Sequence, residues 1–407
     1  MGNKILGLFG ALLCGLWVSA QEVPKQKMQE VYEEVKTPYK YGLALSPESD
    51  SFKLDCPTVF RSGRNWYMTY IRFNGAGYET WLAKSKNLLE WKTLGRLLSF
   101  SDTTEWDAWQ KAGYLSLQDT KWGGSYGVKK VDGKYWMSYF GGKDKGYEAG
   151  DLSISMAFTQ GNLTQPHEWD RLPKPVLSSY DADTRWWENK KMYKNTVVEM
   201  PGNATGYPYL MYYNANGDTT GNKQLRWFER IGMAGSHDMV TWRRIGREPV
   251  LMHSRGITGD PYIQRMGNLW VMFYFGAFWQ GRENEAFNRF ACSYDGVHWT
   301  DWEGDDLIKP SEPYDNKYAH KSCVIKYKGV VYHFYNAVNQ KDQRGIAVAT
   351  SKPMGKSKVD FPRNQHGKMF HHLGKKGHWA GGKTIILLHH QITIDGLPGM
   401  VVCREFI

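Results

Sequence analysis

Short apolar runs dense in aromatic residues recur along the chain, separated by turns built on glycine and asparagine. The clearest are Tyr67-Met-Thr-Tyr70, Trp136-Met-Ser-Tyr139, Leu210-Met-Tyr-Tyr213, Val271-Met-Phe-Tyr274 and Tyr332-His-Phe-Tyr335. Their length and aromatic content predict β-strands. A shorter apolar strand and a turn precede each core. The turns include Ser62-Gly63-Arg64-Asn65, Asp132-Gly133-Lys134, Met266-Gly267-Asn268 and Lys328-Gly329. Gly and Asn tolerate the positive φ that tight hairpins need. Positions 68, 137, 211, 272 and 333 recur at roughly sixty to seventy-five residues, the mark of an internal repeat.

A third strand follows each core: Trp81–Ser85, Ile154–Phe158, Ile231–Gly235, Phe290–Ser293 and Ile346–Thr350. Three of them run into the pattern Ser-x-(Asn/Asp)-x-x-x-Trp, at Ser85/Asn87/Trp91, Ser236/Asp238/Trp242 and Ser293/Asp295/Trp299. A short polar side chain holds such a turn by bonding its own backbone, and the Trp packs between sheets. The second unit keeps Trp169 after an insertion; the fifth has no such Trp. Five antiparallel units of four strands, none able to bury itself alone, predict an all-β, five-bladed propeller over residues 50–352. A β-sandwich is the alternative arrangement. The fourth strand of unit five has to come from residues 39–45 or from the tail. Residues 21–49 form an N-terminal arm, with a short helix or extended piece at 22–36. The tail, 353–407, does not fit the repeat.

The chain has 407 residues, of which 15% are aromatic and 23% charged, with a formal net charge of +11. That balance excludes collagen, coiled coil and wholesale disorder. The basic residues are spread along the chain rather than gathered in a patch, which argues against nucleic acid and leaves a solvated basic surface. Lys4, the apolar run 5–18 and Val18-Ser19-Ala20 read as a cleaved signal peptide over 1–20, so the protein is expected in the periplasm or secreted. No later stretch is apolar enough to span a membrane. Cys56, Cys292, Cys323 and Cys403 are too scattered for a disulfide scaffold and read as buried thiols.

These strand cores and Ser-x-Asp-x-x-x-Trp corners, over residues 50–352, resemble the five-bladed propeller glycosidases of glycoside hydrolase family 43 and its relatives. Asp55-Cys-Pro-Thr-Val-Phe60 resembles the Asp-Pro opening of the first blade in that group, with Asp260-Pro261 and His320-Lys321-Ser322 at the openings of blades four and five. The resemblance implies a monomeric hydrolase that needs no cofactor, with room for a central structural ion such as calcium. It implies release of a pentose, such as arabinofuranose or xylose, from plant or algal polysaccharide.

Glycoside hydrolysis needs one protonated and one ionised carboxyl. The first strand of each blade lines the channel, so the alignment places Asp55, Asn195, Asp260 and His320 together at its mouth. Asp55 is the expected base. The chain departs from the family at blades two and three, where Ser125-Tyr126-Gly127 and Lys194-Asn195 replace the usual carboxylates. Glu188, in Arg185-Trp186-Trp187-Glu188, is the substitute acid, because two Trp can desolvate it. Asp260 and Asp119 modulate pKa or contact substrate, and Arg185, Trp186, Asn195, His320 and Lys321 are candidate substrate contacts. Trp187 and Trp279 are further stacking candidates. Glu79 and Glu148 share a small Gly-Tyr-Glu repeat and read as solvated residues on turns. Two rival functions stay open: a propeller that binds glycan without cleaving it, and a glycan phosphorylase using Arg185, Lys190 and Lys321 around phosphate.

Overall fold

The computed structural model describes residues 21–217 and 228–363. The expected signal peptide and the tail from residue 364 on lie outside the described residues, as does Cys403. The arm begins with a helix, α1 (Lys25–Val35), which buries Met28, Val31 and Val35 on one face. Pro38 follows soon after its end, and the backbone extends into strand β1 (Tyr39–Leu45).

The repeat then unfolds as read. Unit one is β2 (Lys53–Ser62), β3 (Asn65–Phe73), β4 (Tyr78–Ser85) and β5 (Trp91–Leu98). Unit two is β6 (Gln110–Leu115), β7 (Tyr135–Gly142), β8 (Ser153–Thr159) and β9 (Asp170–Arg171). Unit three is β10 (Lys191–Glu199), β11 (Tyr209–Asn216), β12 (Glu229–Ser236) and β13 (Trp242–Ile245). Unit four is β14 (Ile257–Met266), β15 (Leu269–Trp279), β16 (Arg282–Ser293) and β17 (Thr300–Asp301). Unit five has β18 (Tyr318–Tyr327), β19 (Val330–Val338) and β20 (Arg344–Thr350). Its fourth strand is β1, paired antiparallel with β20 from Tyr39↔Thr350 to Leu45↔Ile346. Within every unit the neighbouring strands are antiparallel.

The turns carry the conformations their residues allow. Lys328 and Gly329 both sit at positive φ (48° and 74°), as do Asp132 and Gly133 (51° and 73°). The three Trp corners are identical in plan. Ser85 Oγ accepts the backbone N–H groups of Asn87 and Leu88, and Trp91 Nε1 donates to the Leu88 carbonyl at 3.0 Å. Trp242 donates in the same way to Met239 and Trp299 to Gly296. Cys56, Cys292 and Cys323 are buried free thiols.

First strands touch in series: β6 with β10, β10 with β14, β14 with β18, and β18 with β2. Four of these strands share one irregularity. In β2, Asp55 pairs with Ile71 and Thr58 with Thr69, so Cys56 and Pro57 face a single partner residue. The same two-against-one bulge occurs at Asp260-Pro261 in β14, Lys321-Ser322 in β18 and Tyr193-Lys194 in β10. Cys56, Asp260 and Lys321 take φ of 50°, 54° and 63°, and such bulges re-aim side chains at the end of a strand. β6 pairs without a bulge.

Candidate active site

The bulges correct the alignment read from sequence. The matching positions are Cys56, Asp260 and Lys321, whereas Asp55 and His320 lie one residue earlier and Asn195 one residue beyond its bulge. Asn195 is fully buried, donates to the Tyr193 carbonyl and does not line the cavity. Residues 125–127 lie outside β6, and Tyr114 is the side chain that unit two brings to the mouth.

All five first strands contribute to one cavity of about 560 Å³. Cys56, Tyr114, Lys194, Asp260, His320 and Lys321 form its floor. Three carboxylates share the space: Glu148, Glu229 and Asp260. Glu283 and Arg255, 4.0 Å apart, stand at its more exposed side.

Glu229 opens β12 at the single parallel pair, Glu229↔Ile257, that joins units three and four. Its N–H donates to the Gly256 carbonyl at 3.1 Å. Gly256 has φ +82°, and a Cβ there would lie 2.3 Å from the Ala277 oxygen, so only glycine fits. Asn214 Nδ2 donates to the Glu229 carboxyl at 2.7 Å, while Asn214 Oδ1 accepts the Asp260 N–H at 3.2 Å. Burial, then the charges of Glu148 and Asp260, push the Glu229 pKa up to about 8. Glu229 therefore holds a proton at neutral pH.

Glu148 lies between β7 and β8 at φ +49°, a strained conformation for glutamate. Its loop is pinned: Gln110 Nε2 donates to the carbonyls of Asp144 and Gly146, both at 2.7 Å, and Lys191 Nζ donates to the Glu148 carbonyl at 2.6 Å. Burial raises its pKa, with Lys321 pulling the other way. Burial also raises Asp260, against Lys321 and Lys194.

Asp55 is buried behind the floor rather than lining it. Burial pulls its pKa up, but Lys321, His320 and Arg344 outweigh this and keep it below the usual aspartate value. Its carboxylate accepts Lys321 Nζ at 2.8 Å and the Cys56 N–H at 2.9 Å. Asp55 thus holds Lys321 in place instead of facing substrate. The Cys56 thiol points to Asp260 at 3.4 Å. His320 lines the cavity, and burial, then Lys321, pull it down to about 3, so its ring is neutral.

The remaining candidates lie elsewhere. Glu188 is completely buried but accepts the Arg185 N–H, the Tyr213 hydroxyl and the Arg244 guanidinium, and Arg244 also pairs with Asp181 and Asp183. It closes a corner beside unit three, outside the cavity lining. Arg185 bonds the Gly246 carbonyl, and Trp186 bonds Glu248 and lies over Arg230. Trp187 is core, and Trp279 stacks on His253 at 3.5 Å. Asp119 ties the Lys121–Ser125 turn. Glu79 is buried and paired with Arg96, not solvated. Among the described residues no cluster of three His, Cys, Asp or Glu side chains is arranged to hold a metal.

Sequence reasoning passed over Glu229 and undervalued Glu148. The second had a signal, its Gly-Tyr-Glu repeat; the first had none, because a glutamate beginning a third strand looks like any strand edge.

Comparison with known proteins agrees with this site. A solved structure named "Glycoside hydrolase" is 51% identical, covering 84% of this chain and 99% of its own, with a TM-score of 0.80. Another, solved as a complex of BT0996 and RGII, is 52% identical with the same coverage and TM-score. The chain thus belongs to the glycoside hydrolases. Within that class its fold is also that of a thermostable family-43 glycoside hydrolase, 16% identical, covering 74% of this chain and 89% of that one, with a TM-score of 0.52. No family model and no curated protein matches it.

Proposed function

We propose that this glycoside hydrolase is an exported, monomeric five-bladed propeller that removes a terminal pentose from a plant or algal polysaccharide side chain. The five units are its blades, and strand β1 completes the last. Glu229 is the general acid and Glu148 the general base. One observation carries this assignment: a glutamate that keeps its proton to about pH 8 shares a cavity with a second glutamate. Glu229 gives its proton to the glycosidic oxygen as the C–O bond breaks. Glu148 takes a proton from the water that adds to the anomeric carbon, with inversion. The neutral His320 and the Lys321 ammonium lie beside these groups, and Asp260 tunes their charge. Asn214 positions the acid.

The cavity is a pocket rather than a groove, which suits action on chain ends. A relative 52% identical was solved as a complex with RGII, and RGII is the first substrate to try. Phosphorolysis loses its support, because Arg185 belongs to the Glu188 corner and leaves no phosphate cluster with Lys321.

The test is incubation of the purified protein with RGII oligosaccharide and a panel of pentose-bearing polysaccharides, with released sugar read by mass spectrometry. Wild type releases a pentose, Glu229→Gln and Glu148→Gln do not, and Glu188→Gln does. Release that survives Glu229→Gln overturns the assignment of the acid.

A further inference from the structure

A cation on the cavity floor stands without a partner among the described residues. Lys194 is 3% exposed, its Nζ makes no hydrogen bond, and it lies 5.4 Å from the centre of the Tyr114 ring. It lines the same cavity as Glu148, Glu229 and Asp260. Lys321, by contrast, is paired with Asp55 at 2.8 Å. A buried ammonium has surrendered its hydration, and N–H groups left without acceptors destabilise the folded protein.

Nothing in the strand requires a lysine at that place. The matching second positions of the other bulges are Pro57, Pro261 and Ser322, so a short or apolar residue satisfies the backbone equally well. The unpaired donors therefore point to a ligand.

We propose that Lys194 determines specificity by donating hydrogen bonds to a hydroxyl of the sugar bound at the bottom of the cavity. This rests on the glycosidase site described above. The sugar is neutral: Glu148, Glu229 and Asp260 already crowd the space, and a uronic acid would add a fourth carboxyl group to it. A pocket built to bond a hydroxyl also rejects the analogue that lacks it far more strongly than an apolar pocket rejects a missing methylene.

Lys194→Met keeps the apolar stem and removes the charge. Three quantities test it: kcat/KM for pentose release from RGII oligosaccharide, the Tm of the free protein, and the Tm shift given by arabinose, xylose or galacturonic acid. We expect kcat/KM to fall about 10- to 100-fold, chiefly through KM, as loss of a charged hydrogen bond to substrate implies. The free variant melts at the wild-type temperature or above it, because an unpaired buried charge is gone. The pentose-induced shift disappears, and galacturonic acid shifts neither protein. A lower Tm accompanied by unchanged KM would make Lys194 structural and overturn the proposal. So would equal pentose shifts in both proteins, no shift of wild type by any pentose, or a larger shift by galacturonic acid. If wild type binds pentose through Lys194 yet releases none, the hydrolytic reading fails and this one stands.

Discussion

Glu188 and Glu229 are both buried glutamates of the same repeat, and they live in opposite surroundings. Around Glu188 the chain supplies a guanidinium, a tyrosine hydroxyl and a backbone N–H, and Arg244 itself has two further carboxylates. Around Glu229 it supplies one amide donor and two more acids, and opens the space to a ligand. The first arrangement spends every lone pair on structure. The second leaves a proton available for chemistry. Burial beside aromatic residues is common to both corners, so burial alone does not mark an active site. The supply of counter-charges does.

The sharpest test of that contrast is activity. Glu229→Gln and Glu148→Gln should each lower kcat about a thousandfold, the scale of lost acid or base catalysis, as read by sugar release. Glu188→Gln should leave kcat/KM within a few-fold. Stability should order the residues differently. Asp55→Ala strands the Lys321 ammonium inside the protein and should cost about 3–5 kcal/mol in urea unfolding. The Asp55 pKa is lowered on folding, so the stability that ionised Asp55 contributes is present above its unfolded pKa and lost as pH falls through the folded value. Glu188→Ala should cost about 2–3 kcal/mol, because Arg244 keeps Asp181 and Asp183.

Glu229 runs in the other sense. Its pKa is raised from 4.5 to about 8, so the folded state holds a proton that the unfolded chain has released. Stability then declines as pH rises between those values, and Glu229→Gln should flatten the decline in a series of melts. The same titration sets the alkaline limb of kcat/KM near pH 8, since the proton-bearing form is the active one. The smallest effect belongs to Asp119→Ala, a turn lock away from the cavity, which should cost about 1 kcal/mol and leave sugar release intact.

Most of the architecture could be read in advance because it is local. Strand cores, positive-φ turns and Trp corners each depend on residues within about six positions of one another, and all formed as expected. The fourth strand of unit five was already narrowed to residues 39–45 or the tail. The site was harder because it depends on register. One bulge residue decides whether Asp55 or Cys56 faces the cavity, and no hydrophobic pattern reports that shift. Glu188 looked like an acid because its Arg partner lies in β13, far along the chain. Glu229 was invisible because its meaning comes from a strand pair with unit four.

The pairing of Tyr39 with Thr350 also bears on how the molecule is made. Synthesis delivers the first partner long before the last, and until β20 exists β1 is a bare edge able to recruit another molecule. A product that stops inside unit five cannot complete that sheet, however well its earlier units have formed. Fastening the two ends of the repeat together makes the finished molecule its own proofreading device: only full-length products close, and incomplete ones are left marked by an open strand for proteolysis.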